Sequence, residues 1–178
     1  MLHFFEKGHG HPLLFLHGFC ESGEMWRHLA DSLASQYRVI CPDFPGFGNS
    51  PLSQPIQRIE EVAEQLEDWV EALQIKNPIV MGHSLGGYVA LALLERMGER
   101  IKAIGLLHST AFADDQEKIE IRNRTLTFLK KHGAAKFVSL PLCLCYSLNT
   151  AELSWPKPWN KPLKMASAPA SRVYWPIR

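Results

Sequence analysis

No apolar run in the 178 residues approaches the roughly 20 needed to cross a bilayer, so a membrane span is not expected. The opening Met1-Leu2-His3-Phe4-Phe5-Glu6 lacks a basic segment followed by an apolar one, so no secretory leader is expected. Cysteine is scarce, at positions 20, 41, 143 and 145, and no two form a CxxC pair. That excludes the common zinc and thiol-redox frameworks and leaves reduced thiols in a cytoplasmic protein as the simplest reading. Charge of one sign is also missing: 19 Lys and Arg face 18 Asp and Glu, a net +1 that gives no electrostatic reason for a nucleic-acid partner. Hydrophobic residues make up 46%, enough to bury a core, which excludes bulk disorder.

Further absences mark a seam. Residues 141–178 contain no glycine and one acid, Glu152, against five basic residues, a net of +4. They carry six of the 12 prolines and three of the five tryptophans. Residues 1–140 hold 14 basic and 17 acidic residues, a net of −3. The chain therefore divides into a globular core, 1–140, and a Pro/Trp/Lys-rich tail, 141–178, expected to be irregular. Cys143 and Cys145 have no further ligands at zinc spacing, so neither a metal nor a cofactor is expected.

Within the core, apolar patterning alternates between strand and helix, the signature of an α/β fold with a mostly parallel sheet and helices on both faces. Residues 13–16 form a short apolar strand ended by His17-Gly18. Ser22 is positioned to cap a helix whose stripe is Trp26, Leu29, Ala30, Leu33 and Ala34. A strand at 37–41 leads into the turn-rich segment 43–51. A long helix then presents Ile56, Ile59, Val62, Ala63, Leu66, Trp69, Val70 and Leu73 on one face. Strand 79–81, helix 85–97, strand 101–107 and a charged helix over 114–131 complete the pattern.

Between the third of these strands and its helix stands Gly82-His83-Ser84-Leu85-Gly86-Gly87, a G-x-S-x-G at a strand–turn–helix junction. The flanking glycines let the backbone turn sharply, which puts Ser84 at a strand end and at the positive end of a helix. Ser84 is the candidate catalytic nucleophile, and an ordinary glycine-bearing turn is the alternative. A serine nucleophile needs donors for the oxyanion. The backbone N–H of Leu85 is one, and that of Phe19, after the neighbouring strand, is placed to be the other. His17 and His108 are candidate cleft-lining residues, His17 with the alternative of a turn residue packed beneath its loop.

On His17-Gly18-Phe19, on Asp43-x-x-Gly46-x-Gly48-x-Ser50 and on Gly82-His83-Ser84-Leu85-Gly86-Gly87, the first 140 residues resemble the N-terminal half of the α/β-hydrolase superfamily, in its esterase-like group. The resemblance implies acyl transfer from an ester-like small molecule to Ser84, with Asp43 in a structural loop. A serine argues against the haloalkane dehalogenase and epoxide hydrolase branches, which use Asp. It also implies an acid and then a His after later strands, and two further strands beyond 101–107. Here the chain departs from the family: no His follows His132, and the last strands are expected to be lacking. Asp114 or Asp115 with His132 keeps the family order but spans a helix about 25 Å long. His108, backed by Asp114 or Asp115, is the better placed base. His83, inside the elbow, is expected to pack beneath it. Two functions remain open: a serine hydrolase, or a truncated, non-catalytic hydrolase fragment. Without the last strands, Ile101, Ile104, Leu106 and Leu107 are expected to form an exposed apolar edge open to self-association.

Overall fold

In the computed structural model the chain is described over residues 1–52 and 58–138. Ile56 and the whole tail, with Cys143 and Cys145, lie outside the described residues. Five strands form one sheet in the order β1-β3-β2-β4-β5. They are β1 (Phe4–Lys7), β2 (His11–Leu16), β3 (Tyr37–Pro42), β4 (Ile79–His83) and β5 (Ala103–Leu107). Only β1 runs antiparallel, pairing Phe4 with Pro42 at the sheet edge. It has no counterpart in the sequence reading, because the four residues Phe-Phe-Glu-Lys are few and do not alternate apolar with polar, so they cannot be separated from a loop.

Three longer helices pack about the sheet, α1 (Arg27–Leu33), α2 (Ile59–Ala72) and α3 (Leu85–Met97); the mostly exposed α4 (Gln116–His132) and a short α5 (Ala134–Val138) follow. The α2 stripe Ile59, Val62, Ala63, Leu66, Trp69 and Val70 is buried against α3 and the sheet, joined by Val80, Val89, Ala90 and Leu93. At about 1.5–3 kcal/mol for each large side chain, this face dominates the hydrophobic stabilisation. The opposite face is thinner. It packs Leu13, Phe15, Val39 and Cys41 against Trp26 and Ala30, with Ile79, Met81 and Leu107 only partly covered. Burial pushes the Cys41 thiol up to about 12, so it is an inert core residue.

Two local expectations differ. Residues Gly23–Trp26 form a 3-10 turn before α1, and Ser22 is buried without making a side-chain cap. The single turn delays the helix, so Leu29 faces solvent while Trp26 and Ala30 face the core. The first β5 residue is Ala103, two after the expected start. Ile101 is buried in the α2–α3 core, and Ile104, Leu106 and Leu107 are half-buried rather than fully exposed. Among the described residues nothing pairs with the outer edge of β5, and no helix is long and apolar enough to cross a membrane.

Candidate active site at the β2–β4 switch point

The order of strand addition reverses at β2: β3 lies on one side of it and β4 on the other, both parallel to it. Open α/β sheets form a crevice at the carboxyl ends of two such strands. Leu16 pairs with Gly82, so the loop after β2 and the turn after β4 leave the sheet side by side.

Ser84 occupies the turn after β4 with φ 49° and ψ −112°, a region sparsely populated for any residue with a side chain. The conformation is held from three sides. Ser84 N–H donates to Leu107 O at 2.9 Å, Gly87 N–H donates to Ser84 O at 3.0 Å, and Ser109 Oγ donates to the same carbonyl at 2.8 Å. Glycine is required beneath it. A Cβ at Gly86 would press on the Leu16 carbonyl and stand 2.7 Å from His17 O, while one at Gly82 would meet Gly86 backbone. Such strain persists only where the surroundings over-determine it, and it concentrates at functional positions. Leu85 begins α3, so its N–H lies in the first turn, where backbone donors are unpaired and the helix dipole favours negative charge.

The loop after β2 is built around His17. Its side chain is fully buried; Nδ1–H donates to Gly18 O at 2.8 Å and Nε2 accepts Phe44 N–H at 2.9 Å. Both nitrogens are thus engaged and the neutral Nδ1–H tautomer is specified. Burial holds its pKa below the ordinary histidine value of 6.5, against the opposing pull of the Gly18 carbonyl. With the ring 4.4 Å from that of Phe44 and 5.5 Å from that of Phe47, His17 lies beneath the loop and lines no cleft. In a trans peptide the carbonyl and the next N–H point in opposite directions. Pinning Gly18 O from below therefore turns the Phe19 N–H away from the core. The Phe19 ring packs edge-on to Phe47 at 6.0 Å and to Phe137 of α5 at 6.2 Å.

Asp43 anchors the loop after β3. Its carboxylate accepts Gly23 N–H at 2.7 Å and Asn49 N–H at 2.8 Å and pairs with His3 Nδ1 at 2.8 Å, all at 3% exposure. With both carboxylate oxygens engaged by His3, Gly23 and Asn49, Asp43 ties this loop to the segments beside it.

The acids following Ser84 are committed elsewhere. Asp114 is clamped by Arg122 and accepts from Tyr88 Oη at 3.4 Å, which fastens α4 to α3. Asp115 caps α4 by accepting Lys118 N–H at 2.8 Å. His132 closes the far end of α4. His108 is exposed at the end of β5, with φ 47°. No Asp stands behind it; its ring meets instead the edge of His83 at 5.9 Å. His83 is half-buried, and its Nδ1 lies 3.0 Å from Glu21 Oε2. Glu21 escaped the sequence reading: an acid three residues past Gly18 looks like any turn carboxylate, and its partner is 62 residues away. Among the described residues no cluster of three or more His, Cys, Asp or Glu is arranged to hold a metal. An open groove of about 440 Å³ runs along α4, lined by Phe128, Lys131, His132 and neighbours; Ser84, Phe19, Leu85, His17 and His108 do not border it.

Comparison with known proteins agrees with this geometry. A sequence profile described as alpha/beta hydrolase fold matches residues 11–138. A pimeloyl-[acyl-carrier protein] methyl ester esterase of Aeromonas salmonicida is 34% identical over 133 residues, 73% of this chain and 50% of that protein. A soluble epoxide hydrolase of a Corynebacterium species is 35% identical over 91 residues, 50% of this chain and 31% of that protein. A thermophilic esterase from Thermogutta terrifontis superposes with a TM-score of 0.70 at 29% identity, covering 83% of this chain and 52% of the esterase. The chain spans half or less of the length of the two sequence relatives it matches.

Proposed function

The chain belongs to the α/β hydrolase fold family, and from that premise we propose that Ser84 is the nucleophile of an acyl-transfer site for ester-like small molecules. The observation that carries the reading is the strained Ser84 backbone at the β4–α3 junction, held by Leu107, Gly87 and Ser109. Esterases and epoxide hydrolases both stand among the relatives; a serine at the elbow favours the former.

In this reading Ser84 Oγ attacks the ester carbonyl carbon, and the carbonyl oxygen becomes an oxyanion held by the N–H groups of Leu85 and Phe19. The hydroxyl proton passes to a base and then to the departing alcohol. Water next attacks the acyl-enzyme, releasing the acid and restoring the serine. His108, beside His83 at the same strand ends, is the imidazole to which the base role falls in this chain.

A second reading, a hydrolase half with little turnover of its own, is favoured by one observation: Asp114 and Asp115 are tied to Arg122 and to the α4 N-terminus, so neither orients His108. Loss of a functional base from a serine triad costs several orders of magnitude and leaves the oxyanion donors in place. The two readings separate in one experiment on the full 178-residue chain. A fluorophosphonate probe is followed by peptide mass mapping, with Ser84→Ala and His108→Ala beside wild type. Slow labelling confined to Ser84, with p-nitrophenyl acetate turnover barely above background, is expected of the half. Rapid stoichiometric labelling that falls in His108→Ala would establish a working base. Label on other residues only, in a folded chain, would refute the nucleophile assignment. The open edge of β5 belongs to the same proposal: it is the surface through which two such chains would associate.

A further inference from the structure

We infer that Glu21 is a positioning residue of this site: its carboxylate ties the loop carrying Phe19 to the strand end carrying Ser84. The inference rests on the oxyanion reading above, because it concerns how the two donor-bearing segments keep their relative position.

Three observations carry it. First, a single oxygen, Glu21 Oε2, accepts Gly18 N–H at 2.6 Å and the His83 Nδ1–H at 3.0 Å. Gly18 immediately precedes Phe19, and His83 immediately precedes Ser84. One carboxylate thus bridges the two segments whose spacing sets the oxyanion site. Second, the bridge is sheltered: the Glu21 and His83 side chains are 23% and 20% exposed, and the Trp26 ring closes on His83 edge-on at 6.2 Å. Charge-assisted bonds in such a setting are shorter and stronger than neutral ones in water. Third, the sequence is shaped around the contact. A Cβ on residue 18 would stand 2.5 Å from Glu21 Oε2 and 2.9 Å from His83 Nδ1, so any side chain there would push the carboxylate and the imidazole off this geometry.

The turn itself needs such a tie. Cys20 has φ 62°, a left-handed conformation that costs a residue with a side chain free energy, and the Glu21 N–H to Gly18 O bond that closes the turn is long, at 3.4 Å. His17 pins the Gly18 carbonyl from below and Glu21 pins the Gly18 N–H from the side. The peptide groups on either side of Gly18 are therefore both held, and with them the direction of the Phe19 N–H. His83 has a role on this account without touching substrate: it is the elbow's half of the tie.

The test uses the full chain with Glu21→Gln and Glu21→Ala. Glutamine keeps an oxygen for the Gly18 N–H and removes the charge, whereas alanine removes both partners' acceptor. Displacing an oxyanion donor without deleting it should slow fluorophosphonate labelling of Ser84 about tenfold in Glu21→Ala, and less in Glu21→Gln, with the probe concentration for half-saturation unchanged. Two NMR signals read the tie without any chemistry at Ser84. Wild-type His83 should be protonated at Nδ1, and the Gly18 amide should exchange with solvent faster in Glu21→Ala. If wild-type Ser84 resists the probe, the nucleophile reading falls and these two signals still decide the tie. The inference is overturned if wild-type His83 is protonated at Nε2 alone. It is likewise overturned if folded Glu21→Ala keeps both wild-type labelling and wild-type Gly18 exchange.

Discussion

Replacing His17 by glutamine separates an architectural histidine from a catalytic one through the pH dependence of stability. His17 is buried with both nitrogens engaged, and burial pushes its pKa below the unfolded value of 6.5. The folded state therefore favours the neutral ring. Above pH 6.5 neither state binds the proton and the His17 contribution is complete; as pH falls through 6.5 the unfolded chain takes up a proton that the folded chain refuses, and stability is lost. For a group that stays neutral when folded, moving from about pH 7.5 to about pH 5.5 costs on the order of 1 kcal/mol. In His17→Gln that titration disappears. Glutamine can still accept the Phe44 N–H through Oε1, but the Gly18 carbonyl loses its His17 donor and keeps the long Glu21 N–H bond, a cost of about 1 kcal/mol at neutral pH. The variant should thus be less stable than wild type near pH 7.5, with a stability difference that narrows near pH 5.5. Urea unfolding followed by circular dichroism at the two pH values measures both, and subtracting variant from wild type cancels the other histidines. A difference that is flat with pH, or that widens in acid, would refute the claim that His17 is held neutral under the loop.

Gly86→Ala should destabilise the fold by about 1–3 kcal/mol in thermal unfolding, because the added methyl meets the Leu16 and His17 carbonyls and backbone has to move. An unchanged melting temperature would mean that β2 and the elbow are further apart than described. The β5 edge, unpaired among the described residues, should make the sedimentation coefficient rise with concentration, and Ala103→Lys, at the exposed start of that strand, should reduce the effect. Concentration-independent sedimentation of wild type as a monomer would show that the edge is covered.

Much of the architecture was written locally. The α2 stripe follows from helical spacing of apolar residues, and the helix buries nearly the face that spacing specifies. The elbow was legible for a different reason: a turn this tight admits few residue types, so Gly82, Ser84 and Gly86 state the backbone conformation directly. The same holds for the loop around Asp43, where Gly48 leaves room for the carboxylate.

What only the tertiary structure decided are the contacts between segments distant along the chain. His108 and Asp114 are six residues apart and read as partners, yet Asp114 turns to Arg122 and Tyr88 while the His108 ring meets His83. Leu29 belongs to an apolar stripe by spacing and faces solvent because one 3-10 turn rotates the helix start. Glu21 and His83 carry no mark of their connection, since neither residue type nor local period encodes which carboxylate will meet which imidazole. That pairing appears only when β2 and β4 lie side by side with Leu16 opposite Gly82. Periodicity and turn chemistry report the shape of a segment, which its own backbone sterics set. Which polar side chains meet depends on strand order and register, and those are fixed by the burial of the whole sheet.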